Sequence, residues 1–221
     1  MTDHQHSHLQ LDVTLHDHLL IGKGKHQRCY RHPEQPGLCI KVGAPAYREN
    51  LDRELNYYRR LQKRGISWRM IAAYHGPIDT NLGPGHVFDL VKDFDGSVSR
   101  TLQWYLERND RTEEHIYGIA LAIPAFKAYM LHHGIAAKNF DEKNLLYKRL
   151  NHEDGLLVLV DDIGHKDFIP VATYVRQVAR AKFKRRWKRF ESRLLKHHPE
   201  NSVLASCFRN RYCPTELDHG R

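Results

Sequence analysis

The sequence predicts an α+β protein in two parts, a small antiparallel sheet carrying one helix and then a mostly helical half. Three observations carry that prediction. Short runs with strand character, punctuated by Gly- and Pro-bearing turns, crowd around a single helical stretch up to Asp95. After Gly96 the apolar residues recur at three and four positions, the helical period. Strand-rich and helix-rich runs that are segregated rather than alternating point to α+β rather than α/β.

The elements follow in order. Residues 1–14 are polar and histidine-rich and are expected to form a flexible tail. His4, His6 and His8 find no downstream ligands to complete a metal site. Leu15–Ile21 reads as a strand running into Gly22-Lys23-Gly24, with further strands near Arg28–Arg31 and Leu38–Val42 and a turn at Pro33–Gly37. Leu51, Leu55, Tyr58 and Leu61 place a helix over Ala46–Leu61, with Glu49, Asp52 and Glu54 along it. Ile71–Tyr74 and His86–Val91 are two more expected strands, joined through a turn at Asn81–Gly85. The domain boundary is expected near Lys92–Gly96, giving a first part over 15–95 and a second over 96–221. Helices over Thr101–Glu107 and Thr112–His132 come next, then a hairpin of Leu145–Tyr147 with Leu156–Val160. A last helix near 170–195 starts at Pro170, which suits a first helical turn.

Composition excludes several classes. With 41% hydrophobic and 28% charged residues, the chain of 221 residues is neither disordered throughout nor a coiled coil. Its longest apolar stretch, Ile119–Phe126, contains Pro124 and is too short to span a bilayer, so no transmembrane segment is expected. The first residues show no basic-then-apolar leader, and Cys29, Cys39, Cys207 and Cys213 follow no Cys-x-x-Cys pattern. Reduced thiols and a cytoplasmic location are therefore expected.

The net charge of +9 is concentrated. Arg176 to Arg193 holds nine Lys or Arg against Glu191 alone, and the rest of the chain is nearly balanced. Along the same segment Val171, Val175, Ala179, Phe183, Trp187, Phe190 and Leu194 form one apolar stripe. Two readings stand side by side: a core-packed helix with a solvated basic face, or a docking face for a phosphorylated substrate, nucleic acid or, by peripheral contact, the anionic headgroups of a surface. Nucleic acid ranks last, because packing explains the apolar stripe better.

A set of residues in order points to phosphoryl transfer. A strand ends in Gly22-x-Gly24, an apolar strand ends in Leu38-Cys39-Ile40-Lys41, and a helix carries Glu54. Far downstream comes a loop with Asn144, then a strand running into Asp161-Asp162-Ile163-Gly164. Glycine backbone can approach phosphates, a lysine can pair with their oxygens under the hold of a helix carboxylate, and Asn with Asp supplies hard oxygen ligands for magnesium.

These residues make the chain recognisable. With Cys29-Tyr30-Arg31-His32-Pro33-Glu34, Arg53-Glu54-Leu55, Tyr74-His75-Gly76, Asp93-Phe94-Asp95-Gly96 and Lys143-Asn144-Leu145-Leu146, it resembles the bacterial YrbL family of PhoP regulatory network proteins over about residues 18–195. Through that family it resembles the bilobal protein-kinase-like fold, with a reduced helical second lobe. The resemblance implies ATP and magnesium as cofactors, and the family's name implies a link to envelope-stress regulation.

Carried over residue by residue, Lys41 stands at the phosphate-pairing position and Glu54 at its helix partner, with Glu49 as the alternate. Gly22, Gly24 and Lys25 form the phosphate loop, where Gln27 replaces the third glycine. Cys29 and Cys39 stand over the adenine, and Val91 lies in the backbone hinge of Leu90–Asp93. Asn144 binds metal together with Asp161 or Asp162: counting back from Gly164 on the kinase Asp-Phe-Gly pattern selects Asp162, the family pattern selects Asp161, and Asp161 is preferred because it directly ends the apolar strand.

Two departures shape the functional reading. The position of the catalytic-loop base is Asn139, an amide that cannot accept a proton, and Asp141 is its possible substitute. Only five residues separate Gly164 from Pro170, too few for a peptide-binding activation segment. The expected function is a phosphotransferase acting on an unidentified non-peptide acceptor, an envelope sugar or glycolipid. The alternative is a pseudokinase, a nucleotide-binding regulatory or adaptor protein without turnover.

Overall fold

The structure is a computed structural model that describes residues 13–44, 46, 48–138, 140–164, 176–201 and 204–205. The histidine-rich residues up to 12, Asn139, Pro170, Val171, Val175, Cys207 and Cys213 lie outside the described residues. The chain separates into two compact units. The first comprises residues up to Asp52 with Ala73–Leu90, and the second Arg53–Ala72 with the residues from Val91 onward. The division is thus not a single cut near Lys92–Gly96, because the segment between the two parts of the first unit belongs with the second.

The first unit is a five-stranded antiparallel sheet of β1 (Leu20–Lys23), β2 (Gln27–Arg31), β3 (Leu38–Gly43), β4 (Tyr74–Thr80) and β5 (Gly83–Asp89), in the order β1-β2-β3-β5-β4. Its core is Val13, Leu15, Tyr30, Ile40, Val42 and Val87, with Leu19, Leu38 and Ile78 packed against it. The central strand β3 supplies the fully buried Ile40. Val13 is therefore core rather than tail, and its N–H donates to the Asp79 carbonyl at 3.2 Å.

Two strands differ from expectation for identifiable reasons. Leu15–Ile21 is not one strand. Leu15 is held by Asn81, whose side chain accepts the Leu15 N–H at 2.7 Å and donates to its carbonyl at 3.1 Å. Asp17–Leu19 then makes a 3-10 turn before β1 starts. The strand expected at Ile71–Tyr74 instead begins at Tyr74 and runs through Gly76 and Pro77 to Thr80. Those residues argue against a central strand, but β4 is a sheet edge, where a missing ladder donor is tolerated. Helix α1 (Arg48–Lys63) falls where Leu51, Leu55, Tyr58 and Leu61 put it, and all four are buried.

The second unit contains a three-stranded sheet of β6 (Arg100–Thr101), β7 (Leu145–Arg149) and β8 (Gly155–Leu159), with helices α2 (Leu102–Leu106), α3 (Asn109–Glu114), α4 (Ile116–His133) and α5 (Arg176–His197). Thr101 caps α2, its hydroxyl accepting the Trp104 N–H at 3.2 Å. The single helix expected from Thr112 is broken at His115, whose φ of −119° and ψ of 15° leave the helical region. The Thr112 hydroxyl ties α3 back to the Tyr105 carbonyl at 2.8 Å.

On α5, Ala179, Phe183, Trp187, Phe190 and Leu194 are all buried. The rings of Phe183 and Trp187 stack at 5.5 Å, and Phe140 meets Phe183 edge-on at 5.0 Å. The apolar stripe of the basic helix is therefore core. Among the described residues no helix is long and apolar enough to cross a membrane.

Close approach of α4 to the β7–β8 hairpin depends on Gly118. A Cβ there would fall on the Tyr147 hydroxyl and 2.5 Å from the Glu153 carbonyl oxygen. Alanine is favoured over glycine inside a helix by up to about 1 kcal/mol. Steric displacement should outweigh that gain, and we expect Gly118→Ala to destabilise by about 1–3 kcal/mol in denaturant unfolding.

Candidate functional site

Asn144 and Asp162 are brought together by the open end of the β7–β8 hairpin. Leu145 pairs with Leu159 as its last register, so Asn144 and Val160 emerge side by side, and the Val160 N–H donates to the Asn144 carbonyl at 3.0 Å. Two residues on, Asp162 has a φ of 60°, the left-handed region that an aspartate tolerates better than most non-glycine residues. This backbone is held on both sides. Lys138 N–H donates to the Asp162 carbonyl at 2.6 Å, Gly164 N–H to the Ala136 carbonyl at 2.8 Å, and Ala137 bridges Ile163 between them.

The Asn144 amide then donates to Asp162 Oδ2 at 3.0 Å. Asp161, the residue preferred from sequence, turns its Oδ1 to the Asp162 N–H at 2.8 Å. The geometry thus sets Asp162, not Asp161, beside Asn144. The left-handed turn at Asp162, rather than the end of the strand, sets which carboxylate meets the Asn144 amide. An amide oxygen and a carboxylate are the hard donors that magnesium accepts, and this ion is commonly held by one or two carboxylates with water and phosphate completing its shell. The donor set fits, although among the described residues no cluster of three or more His, Cys, Asp or Glu could hold a metal alone.

The loop leading to Asn144 starts at the left-handed Gly134 that caps α4. Ile135, Ala136 and Ala137 are buried, and the Ala136 N–H donates to the Tyr57 hydroxyl at 2.9 Å. Burial pushes the Tyr57 hydroxyl above its ordinary pKa, and the hydrogen bond from Ala136 partly opposes that rise. Asp141 shapes the last turn, its Oδ1 accepting the Lys143 N–H at 3.1 Å and its carbonyl the Asn144 N–H at 2.9 Å. Asn139 lies outside the described residues.

Glu54 is buried and its Oε2 accepts Lys138 Nζ at 2.6 Å, with the two side chains only 3% and 6% exposed. Lys138 passes unremarked in the reading of the sequence, within the loop before Asn144. No periodic signal marks Lys138; only its adjacency to Asn139 could have drawn notice. Lys41 Nζ lies 4.6 Å from the Phe88 ring centroid within the first unit. Glu49 is exposed in the first turn of α1.

The remaining expected residues belong to the first sheet and the segment after it. The turn from β1 to β2 is closed by Gly24 N–H to the Gln27 carbonyl at 2.8 Å, with Lys25 exposed within it. Neither Gly22 nor Gly24 has a positive φ, so the turn itself does not require glycine at these positions. Cys29 and Cys39 are free thiols on adjacent strands. Their mutual hydrogen bond and burial push the Cys39 thiol up, so it stays protonated.

The Val91 carbonyl accepts the Ser99 N–H at 3.1 Å. Beyond it, buried Asp93 takes the Ser99 hydroxyl at 2.5 Å and Arg149 Nε at 2.7 Å, and a second arm of Arg149 reaches Asp95 at 2.6 Å. Arg149, also missed from sequence, thus fastens the Asp93–Gly96 turn to β7.

Two outcomes are expected here. Lys138→Met, which strands a buried carboxylate, should destabilise by about 3–5 kcal/mol in denaturant unfolding, and adding Glu54→Leu should recover much of the loss. Hydrogen bonds from Ser97, aided by Arg149, lower the exposed Asp95 carboxyl from 3.8 to about 2. Its contribution is therefore complete above about pH 4 and disappears as the pH falls through 2. Asp95→Asn should flatten the fall in melting temperature across that window.

The family model described as PhoP regulatory network protein YrbL matches residues 13–195. Uncharacterized protein YrbL of Escherichia coli (strain K12) is 35% identical over 182 residues, covering 80% of this chain and 86% of the relative, and that of Shigella flexneri matches to the same extent. Among solved structures, a crystal structure of a kinase domain aligns with a TM-score of 0.49 and 16% identity over 68% of this chain, which spans about half the length of that domain (51%). The family match takes in every strand described above and carries α5 to within two residues of its end, and on that evidence the chain belongs to the YrbL family of PhoP regulatory network proteins.

Proposed function

We propose that the protein is a phosphotransferase of protein-kinase-like fold that uses ATP and magnesium to phosphorylate a non-peptide acceptor. The observation that carries this reading is the Asn144–Asp162 pair, built on a left-handed aspartate that the neighbouring backbone holds in place. Backbone of this kind clusters at functional sites, and aspartate is among the non-glycine residues that tolerate it best. Magnesium bound by Asn144 and Asp162 would neutralise charge on phosphate oxygens. Lys41 is assigned to the phosphates, with Gly22, Gly24 and Lys25 along them, and Cys29, Cys39 and Val91 to the base. The short run from Gly164 to Pro170 favours a small acceptor, an envelope sugar or glycolipid, over a peptide.

Without a carboxylate at Asn139, the chain contributes positioning and charge rather than strong base catalysis, which suits a loose transition state. The second reading, a nucleotide-binding pseudokinase, is favoured by the same amide and by the use of Asp141 in shaping the Asn144 turn. Both readings place the protein in the cytoplasm, and the exposed basic residues of α5 would allow peripheral contact with an anionic surface.

Magnesium–ATP at a hundred times its Kd should stabilise the wild type by about 2.7 kcal/mol in thermal unfolding. Asp162→Ala and Lys41→Ala should each lose most of that gain. An unshifted melting temperature at millimolar nucleotide would contradict nucleotide binding. Given a shift, ATP consumption in the presence of an envelope extract supports the phosphotransferase, and its absence supports the pseudokinase.

A further inference from the structure

The second unit holds a cleft of about 250 Å³ lined by Lys138, Phe140, Arg186, Arg189, Phe190 and Arg193. Its arginines fall at i, i+3 and i+7 on α5, so one helix face presents all three. Two of them are fixed from below. Arg186 donates to the Ala137 carbonyl and Arg193 to the Phe140 carbonyl, on the same loop that delivers Asn144. The Phe140 carbonyl orients the Arg193 guanidinium without neutralising it, and a guanidinium carries five donors in a rigid fork.

Glu54 faces Lys138, Glu191 receives Lys127 and the Trp187 indole N–H, and Glu142 lies 3.4 Å from both His197 and His198. Lys138 is thereby neutralised, whereas Arg189 is exposed and has no counter-ion among the described residues. Phe140 and Phe190, each at most 2% exposed, close the apolar side of the cleft. The oriented Arg193 guanidinium and the exposed Arg189, beside Arg186 and over a low-dielectric wall, form a surface for a compact, multiply charged oxyanion.

We propose that this cleft is a phosphate-binding subsite that takes the phosphate of a small phosphorylated ligand or inorganic phosphate itself. Its use for an acceptor that already carries a phosphate rests on the phosphotransferase reading; its binding of phosphate does not. The full chain is titrated calorimetrically, without nucleotide or magnesium, with inorganic phosphate, a hexose 6-phosphate and the unphosphorylated hexose.

Saturable binding of either phosphate, with none of the bare hexose, is expected, and the tighter of the two identifies the source. Arg189→Gln, at a site with no internal partner to disturb, should weaken binding at least about 5-fold, in line with the worth of a charge-assisted hydrogen bond. Arg185→Gln, exposed on the same helix but outside the cleft, should leave it unchanged. No saturable binding, equal binding by Arg189→Gln, or equal weakening by both variants would overturn the subsite. Because ATP is absent from the titration, a failure of nucleotide binding leaves its outcome untouched.

Discussion

The buried ion pair between Lys138 and Glu54 is the constraint on which the second unit's chemistry depends. Taking a carboxylate and an ammonium out of water costs several kcal/mol per ion, and their 2.6 Å contact offsets this only while the geometry holds. A hydrophobic pair could fill the same space with less risk. What the ionic pair adds is position: it ties α1 to the loop that begins at Gly134, and Lys138 is also the residue whose N–H holds the Asp162 carbonyl. One residue thus anchors the loop through its side chain and the left-handed aspartate through its backbone.

From that anchor the remaining features follow by short covalent distances. Phe140, two positions after Lys138, enters the aromatic core formed with Phe183, Trp187 and Phe190, so α5 packs where the loop passes. Arg186 and Arg193 then reach the loop carbonyls from the same helix. Asp141 makes the turn that hands the chain to β7 with Asn144 facing Asp162. The basic helix is therefore packed on the loop that leads to Asn144 and is not an appendage, which reconciles its apolar stripe with its charge.

Much of this was legible in the sequence because it rests on periodicity and local turn chemistry. The stripe from Ala179 to Leu194, the buried face of α1 and the β7–β8 hairpin all follow from spacing. The edge strand β4 was misplaced because Gly76 and Pro77 carry no strand signal, and only its edge position in the sheet makes them acceptable. Asn144 stands out in the sequence through motif order. Motif order left Asp161 and Asp162 both open; which of them lies beside Asn144 turns on one φ angle at Asp162, next to hydrogen bonds from Lys138 and Gly164. Lys138 and Arg149 were missed for a related reason. Their partners lie 84 and 56 positions away, and long-range ion pairs leave no local pattern.

The central claim is that Asn144 and Asp162 form a divalent-cation site that a nucleotide completes. Manganese, with the oxygen preference of magnesium and an unpaired-electron signal, reports on it directly through the relaxation of bound water protons. Titrating manganese–ATP into the full chain should enhance water-proton relaxation well beyond manganese–ATP alone, and Asp162→Ala should abolish the enhancement while leaving the thermal unfolding of the free protein cooperative. Equal enhancement by the wild type and Asp162→Ala, or none by the wild type at millimolar nucleotide, would contradict the claim.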